Sequence, residues 1–411
     1  MKKILFLVAF FVTFNVSFAD QSITIIGGNS ISTPPIAIMN FANDNESVNN
    51  VANIIANDLN VSGDVKAINV TESTQIESKV NYVVYGNIKG QNISYQLKLN
   101  NESATVILTS TVNNFNKNIR MTAHTISNQI YQKLTNTPGI FTSKIAYIVS
   151  NKHRYKIIIS DYDGFNQKTI ISTKSILSSL AWNPNGSQIA YVSFEPGKPV
   201  IYVQNILKPQ RYIVSAFSGS NSSPSFTDDG NQLVVTLTKD SGSQLYLIDN
   251  TKFTHDTYAR AVFSNKFSTI NTEADLAIKD MIVFTSDHDG GPQIFLSDIM
   301  GRMKPKRLTF NLGNYNTTAR FSHDAQKITF IRRDSGTLRT YVQDLTTNSS
   351  YPVSIGTTLD ISPSFAPNDK LILFSSDNTM YVVNSTGTTQ TQLNEINSGQ
   401  IIDQKWSNNF K

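Results

Sequence analysis

From about residue 140 onward the chain writes one hydrophobic–polar pattern six times. Its plainest copy runs from 180 to 206. An aromatic residue (Trp182) leads a polar turn (183–188), an alternating strand follows (189–194), and a Gly/Pro turn brings in a second strand that carries Tyr202 and ends on Asn205. Such apolar–aromatic–apolar–any–Asp/Asn strands close on Asp161, Asn205, Asp249, Asp298, Asp344 and Asn384, which lie 44, 44, 49, 46 and 40 residues apart. A second mark is the third residue of the preceding strand: Tyr147, Tyr191, Val235, Phe284, Phe330 and Phe374. A third leads each turn: Trp182, Phe226, Leu276 (the degenerate copy), Phe321, Phe365 and Trp406. Three marks in phase, at a period of about 40–50 residues with several short strands per copy, predict a β-propeller. Six copies predict six blades.

The phase of the repeat predicts how the ring closes. The first unit enters at its second strand (144–149), and the last leaves a spare aromatic-and-turn element at 401–409. The C-terminal strand is therefore expected to be the innermost strand of the blade begun at 144, which leaves no open edge between first and last blades.

Residues 20–138 lack the repeat and predict a separate domain. Residues 22–26 and 35–41 are strand-like, and 47–59 place Val48, Val51, Ile54, Ile55 and Leu59 at helical spacing. Alternation returns at 81–88, 93–100 and 105–113, and 115–134 is again helical through Ile119, Ala123, Ile126, Ile130, Tyr131 and Leu134. A breaker cluster at 135–139 marks the boundary. The expected fold is thus an α+β N-terminal domain, a mixed sheet with helices, followed by an all-β six-bladed β-propeller at 139–411. Residues 27–35 are small, polar and rich in Gly and Pro. They predict a loosely held start to the domain.

The first 19 residues change the compartment. Lys2 and Lys3, an apolar run at 4–16 and Ser17-Phe18-Ala19 form a cleavable secretory signal. No other run is long enough to span a bilayer, so the protein is expected to be exported, periplasmic and not membrane-spanning. It has no cysteine, and its stability must come from its core. The net charge of +5 is spread along the chain, and its densest basic spots fall in turns, which argues against nucleic acid.

Chemistry is scarce. There is no Gly-x-Ser-x-Gly, His-Glu-x-x-His, phosphate-binding loop or dinucleotide fingerprint, so neither catalytic residues nor a cofactor are expected. Asp161-Tyr162-Asp163-Gly164 and Asp287-His288-Asp289-Gly290 begin like calcium loops but lack the closing Glu, and are read as hairpin turns. No metal site is expected, and His124, His153, His255, His288 and His323 are read as surface-turn or helix positions. The Asp/Asn residues that close the marked strands are read as turn formers capping backbone N–H groups. Trp182 and its counterparts are read as packing between blades. What remains is a binding scaffold, with small polar loops at 178–179, 220–223, 271–273, 315–318, 360–362 and 403–404 around the channel mouth. The alternatives are a propeller scaffold of a peptidase or lyase, or a sugar- or metal-binding propeller.

FTSKIAYIVS, IIISDYDGFNQ, LAWNPNGSQIAYVSFEPGK, PSFTDDGNQL, VFTSDHDGGPQIF and PSFAPND, together with MTAHTISNQIYQKLT in the first domain, resemble the TolB family of the Tol–Pal cell-envelope system. In the third unit TEADLAIKD stands where the family has an aromatic and a Pro-Asp turn. The resemblance implies a non-enzymatic periplasmic adaptor acting in cell division and envelope integrity. Its propeller mouth would bind the peptidoglycan-associated lipoprotein Pal, and its mature N-terminus the C-terminal domain of TolA; outer-membrane lipoproteins or porins are further implied partners. Carried over by position, the Pal face comprises Ser220 (a His in the family), Ser223, Asn271, Thr272 and Glu273. The TolA segment maps to about residues 20–34, and the part expected to engage TolA is 20–29, which begins with Asp20, Gln21, Ser22, Ile23, Thr24, Ile25 and Ile26.

Overall fold

A computed structural model describes residues 35–42, 51–114, 118–239, 242–254, 257–263, 269–278, 280–396 and 399–407. The signal (1–19), the strand expected at 22–26 and the whole TolA segment lie outside them.

The first domain is a five-stranded sheet in the order β2-β1-β3-β4-β5 with two helices. The strands are β1 (Pro35–Met39), β2 (Lys66–Val70), β3 (Tyr82–Lys89), β4 (Asn92–Leu99) and β5 (Val106–Asn113). The helices are α1 (Val51–Ser62) and α2 (Ile119–Thr135). β1 pairs in parallel with β2 and β3, and β3-β4-β5 run antiparallel, so the sheet is mixed as expected. Ile54, Ile55 and Leu59 of α1 and Ala123, Ile126 and Ile130 of α2 are buried, the apolar positions that the helical spacing selects. α2 starts later than expected because the Asn118 side chain caps it, accepting from Met121 N at 3.0 Å. β2 was not foreseen. It has only five residues, and only Ala67 and Val70 of them are buried, so it gives too little alternation to register.

The rest is six four-stranded sheets. The inner strands of blades 1 to 5 are Leu177–Trp182, Asn221–Phe226, Asn271–Leu276, Asn316–Phe321 and Asp360–Phe365. Blade 6 takes Gln400–Trp406 as its inner strand and continues outward through Lys144–Asn151, Arg154–Asp161 and Lys168–Thr173. Its closing pair is antiparallel, with Trp406 opposite Ile145, the arrangement that the repeat phase predicts. Blade 3 keeps all four strands despite its degenerate unit; Leu276 packs half-buried in the aromatic's place.

The turn-capping role holds for four of the six strand-closing residues. Asn205, Asp298, Asp344 and Asn384 accept from backbone N–H groups two to five residues on. Asp249 instead accepts from Gln232 Nε2 at 2.9 Å, and Asp161 pairs with Lys144 and Asn166. In those two units a long polar side chain on a neighbouring strand reaches the carboxylate.

Candidate functional site

Equivalent residues of the inner strands stack in layers around the channel. Each inner strand carries a bulge or register shift against its neighbour. In five blades the third residue sits in the left-handed region: Ser179 (φ 55), Ser223 (φ 49), Glu273 (φ 55), Thr318 (φ 58) and Ser362 (φ 48). Non-glycine residues rarely hold this conformation, and bulges of this kind re-aim side chains. All five line a cavity of about 350 Å³ at the mouth, with Tyr315, Arg320, Asp360 and Asp403.

One layer up, the first residue of four inner strands staples its blade to the one before. Asn221 accepts from Ser215 Oγ (2.6 Å) and Phe217 N (3.0 Å) and donates to Phe217 O (2.9 Å) and Pro199 O (3.2 Å). Asn271 donates to Gln244 Oε1 at 2.8 Å and Asn316 to Gln293 Oε1 at 2.9 Å, while Asp360 accepts from Thr340 N at 2.7 Å. Asn221→Ala is expected to cost about 2 kcal/mol in a denaturant titration, because it strands a buried N–H and removes several bonds at once.

The five face residues named from sequence divide on this frame. Ser223 and Glu273 belong to the mouth layer. Glu273 is held by Thr318 N (3.0 Å) and Thr285 Oγ1 (3.1 Å), so its carboxylate bridges blades 3 and 4. Thr272 is half-buried beside Thr236 Oγ1, and Ser220 stands just before the strand, where its N–H donates to Thr238 Oγ1. Asn271 is buried and is one of the staples, its side chain engaged by Gln244 of the preceding blade.

Sequence reasoning missed the rim. The residue just before the inner strand is Ile176, Ile270 and Leu359 in blades 1, 3 and 5, each about half exposed; in blade 4 it is Tyr315, already within the loop expected at 315–318, with Arg333 over its ring at 4.3 Å. Aligning the six units on their first inner-strand residue would have found this column. It was missed because scattered exposed apolar residues are ordinary.

A second cluster joins the domains. The turn after Arg154–Asp161 pushes Tyr162 and Asp163 between α1 and α2, into a core that also holds Phe141 and Trp406. Tyr162 donates to Asp58 Oδ1 at 2.5 Å, His124 Nδ1 meets Asp58 Oδ2 at 2.8 Å, and His124 Nε2 lies 3.4 Å from Asp163 Oδ2. Arg120 Nε donates to the same Asp163 oxygen at 2.8 Å, its guanidinium 3.4 Å from the Phe165 ring centroid.

His124 is thus fully buried on α2, while His153, His288 and His323 stand exposed in turns; His255 lies outside the described residues. The Asp161–Gly164 segment is a turn, closed by Gly164 N to Asp161 O at 2.9 Å, but its middle is a wedge between domains. Helical spacing could not reveal a partner 39 residues away in sequence.

Asp58, His124 and Asp163 offer three atoms within 4.8 Å of one another, a possible metal triad by spacing. The donor set fits a proton better. Burial opposes a charge on His124, but the two carboxylates overcome it and raise the imidazole to about 10, and Arg120 already donates twice to the Asp163 oxygen that a metal would need. Asp163 is correspondingly held down at about 2 despite its burial. The cluster is an imidazolium clamped between carboxylates, one from each domain.

Comparison with known proteins matches residues 131–410 to the TolB beta propeller domain and 21–100 to the TolB amino-terminal domain. The Tol-Pal system protein TolB of Francisella tularensis is 28% identical over 393 residues, 87% of each chain. That of Bordetella parapertussis is 30% identical over 296 residues, 67% of this chain but 65% of its own length. The crystal structure of TolB from Acinetobacter baumannii superposes with a TM-score of 0.80 at 29% identity, covering 94% of this chain and 99% of that one.

Proposed function

The chain belongs to the TolB family, a non-enzymatic component of the Tol–Pal system, and from that premise we propose that it is a periplasmic adaptor. Its channel mouth binds the lipoprotein Pal, and its mature N-terminal segment, beginning with residues 20–26, binds the C-terminal domain of TolA. Cleavage of residues 1–19 delivers it to the periplasm. No helix among the described residues is long and apolar enough to cross a membrane.

The observation that carries the reading is the mouth layer. Five side chains from five blades, small or polar, are turned into one concavity by strained bulges, and half-exposed Ile176, Ile270 and Leu359 stand at its rim. A partner settling there gains apolar burial at the rim and hydrogen bonds in the centre, and the rigid sheets beneath spare it the cost of ordering the surface.

The test is a calorimetric titration with the soluble domain of the same organism's Pal. One-to-one saturable binding is expected, weakened by about tenfold or more in Ser223→Arg and Thr272→Arg, which put a charged bulk into the contact. Unchanged affinity in both variants would discard the assigned face. Deleting residues 20–26 is expected to abolish TolA binding and leave Pal binding intact.

A further inference from the structure

The channel has a second opening. Trp182, Phe226, Leu276, Phe321, Phe365 and Trp406 end the six inner strands, and they surround a cavity of about 200 Å³ at the end opposite the mouth. Asp228, Asp275, Arg320 and Lys405 line it too. Charges of both signs are present, so the ring of apolar side chains is what sets this outlet apart.

The repeat register brings the last residues of the sequence to the lip of this outlet. In blades 1 to 4 the second residue after the turn-leading position is Pro184, Asp228, Ile278 and His323, and each of these lines the cavity. There the chain enters a turn that carries it outward into the second strand of its blade. Blade 6 has no such turn, because its second strand, Lys144–Asn151, comes from the other end of the propeller sequence. Trp406 lines the cavity, and Ser407 is held beside Lys144, its N–H donating to Lys144 O at 2.8 Å and its Oγ accepting from Lys144 N at 2.9 Å. The counterpart of Pro184 is then Asn408, and residues 408–411 read Asn-Asn-Phe-Lys. Phe410 is the one apolar residue among them. Three residues reach about 10 Å, so the outlet lies within range of its ring.

We propose that residues 408–411 turn back under the propeller and that the Phe410 ring seats in the outlet, closing the channel at that end. A phenyl ring gains free energy by leaving water for apolar surroundings. The outlet has the size for it, since an apolar cavity of about 150 Å³ holds a benzene ring. Ile278, 40% exposed at the lip, is covered by the same contact. The channel is then a cup, reached by partners and solutes from the mouth alone. The closure is separate from the mouth surface, and it stands whether or not the mouth binds Pal.

The chain has two tryptophans, Trp182 and Trp406, and both line the outlet, so intrinsic fluorescence reports on it directly. Phe410→Ala, and a chain ending at Ser407, are expected to show steeper acrylamide quenching than the unaltered protein and a thermal midpoint lower by roughly 2–4 °C. Phe410→Leu should keep most of both. The absence of cysteine allows a second readout. Phe410→Cys combined with Ile278→Cys is expected to form an intramolecular disulfide under mild oxidation. Phe410→Cys combined with Leu207→Cys, on an exposed loop at the periphery of blade 1, is not. Unchanged quenching and midpoint in Phe410→Ala, or no disulfide in the Ile278 pair, overturns the closure. A disulfide that forms only between two molecules, with quenching that falls as protein concentration rises, assigns the ring to a second copy's outlet and overturns it as well. Should the altered chains fail to fold in the quenching experiment, the disulfide pair decides.

Discussion

A chain ending at Gly399 is expected not to fold its propeller. The missing strand, Gln400–Trp406, supplies the whole inner edge of blade 6 and buries Ile401 and Trp406. Trp406 Nε1 donates to Ser143 Oγ at 2.7 Å, and Gln404 Nε2 donates to Ile361 O and Ser362 O at 2.8 and 3.0 Å, so the strand also ties blade 6 to blade 5. Loss of the Trp406 side chain alone should cost about 3–5 kcal/mol. Loss of the strand adds an unpaired edge along Lys144–Asn151 and opens the core shared with the first domain, which together exceeds the roughly 5–15 kcal/mol that holds a typical domain. Circular dichroism and size exclusion should show a non-cooperative, aggregating chain. A truncated protein that melts cooperatively at the full-length temperature would mean that the ring does not depend on this closure.

His124→Phe is expected to cost about 3–5 kcal/mol, the usual penalty for removing one partner of a buried ion pair. It deletes the cation between Asp58 and Asp163 and leaves Asp58 with Tyr162 alone. The pH dependence separates this from simple misfit. His124 is raised to about 10 in the folded state, so its contribution is full below its ordinary pKa of about 6.5 and is lost as pH climbs through the folded value. Asp163, lowered to about 2, contributes above about 3.8 and loses its effect as pH falls through 2. Tyr162, which also faces the imidazole, does not change this window, because burial raises it well above its ordinary value and it stays neutral. Denaturant midpoints at about pH 6 and about pH 9.5 should fall steeply for the unaltered protein and much less for His124→Phe. Equal slopes would mean that the imidazole carries no charge in the folded state.

Much of the fold was legible because a propeller is built from repeated local units. Each unit buries its strands against its immediate neighbours, so the aromatic and Asp/Asn marks recur wherever a blade does, and the phase of the last unit gives the closure. The candidate face was legible only as a set of loops. Whether Asn271 faces a partner or holds a neighbouring blade depends on Gln244, a residue of the preceding repeat, and no pattern within one unit records that. Ser223 and Glu273 line the mouth cavity, but their left-handed backbone comes from the bulge, and serine and glutamate carry no signal for it as glycine would.

The sequence alone determined six blades, a mixed α+β domain ahead of them and the strand exchange that shuts the ring, since each follows from periodicity along the chain. Only the tertiary structure decided which side chains meet. Asp58, His124 and Asp163 come from two helices and a propeller turn, and Arg320 and Lys405 stand on blades 4 and 6. A charge reads the same in a sequence whether it faces water or another charge. Its partners and burial decide what it does, and both are fixed only when separate units close around it.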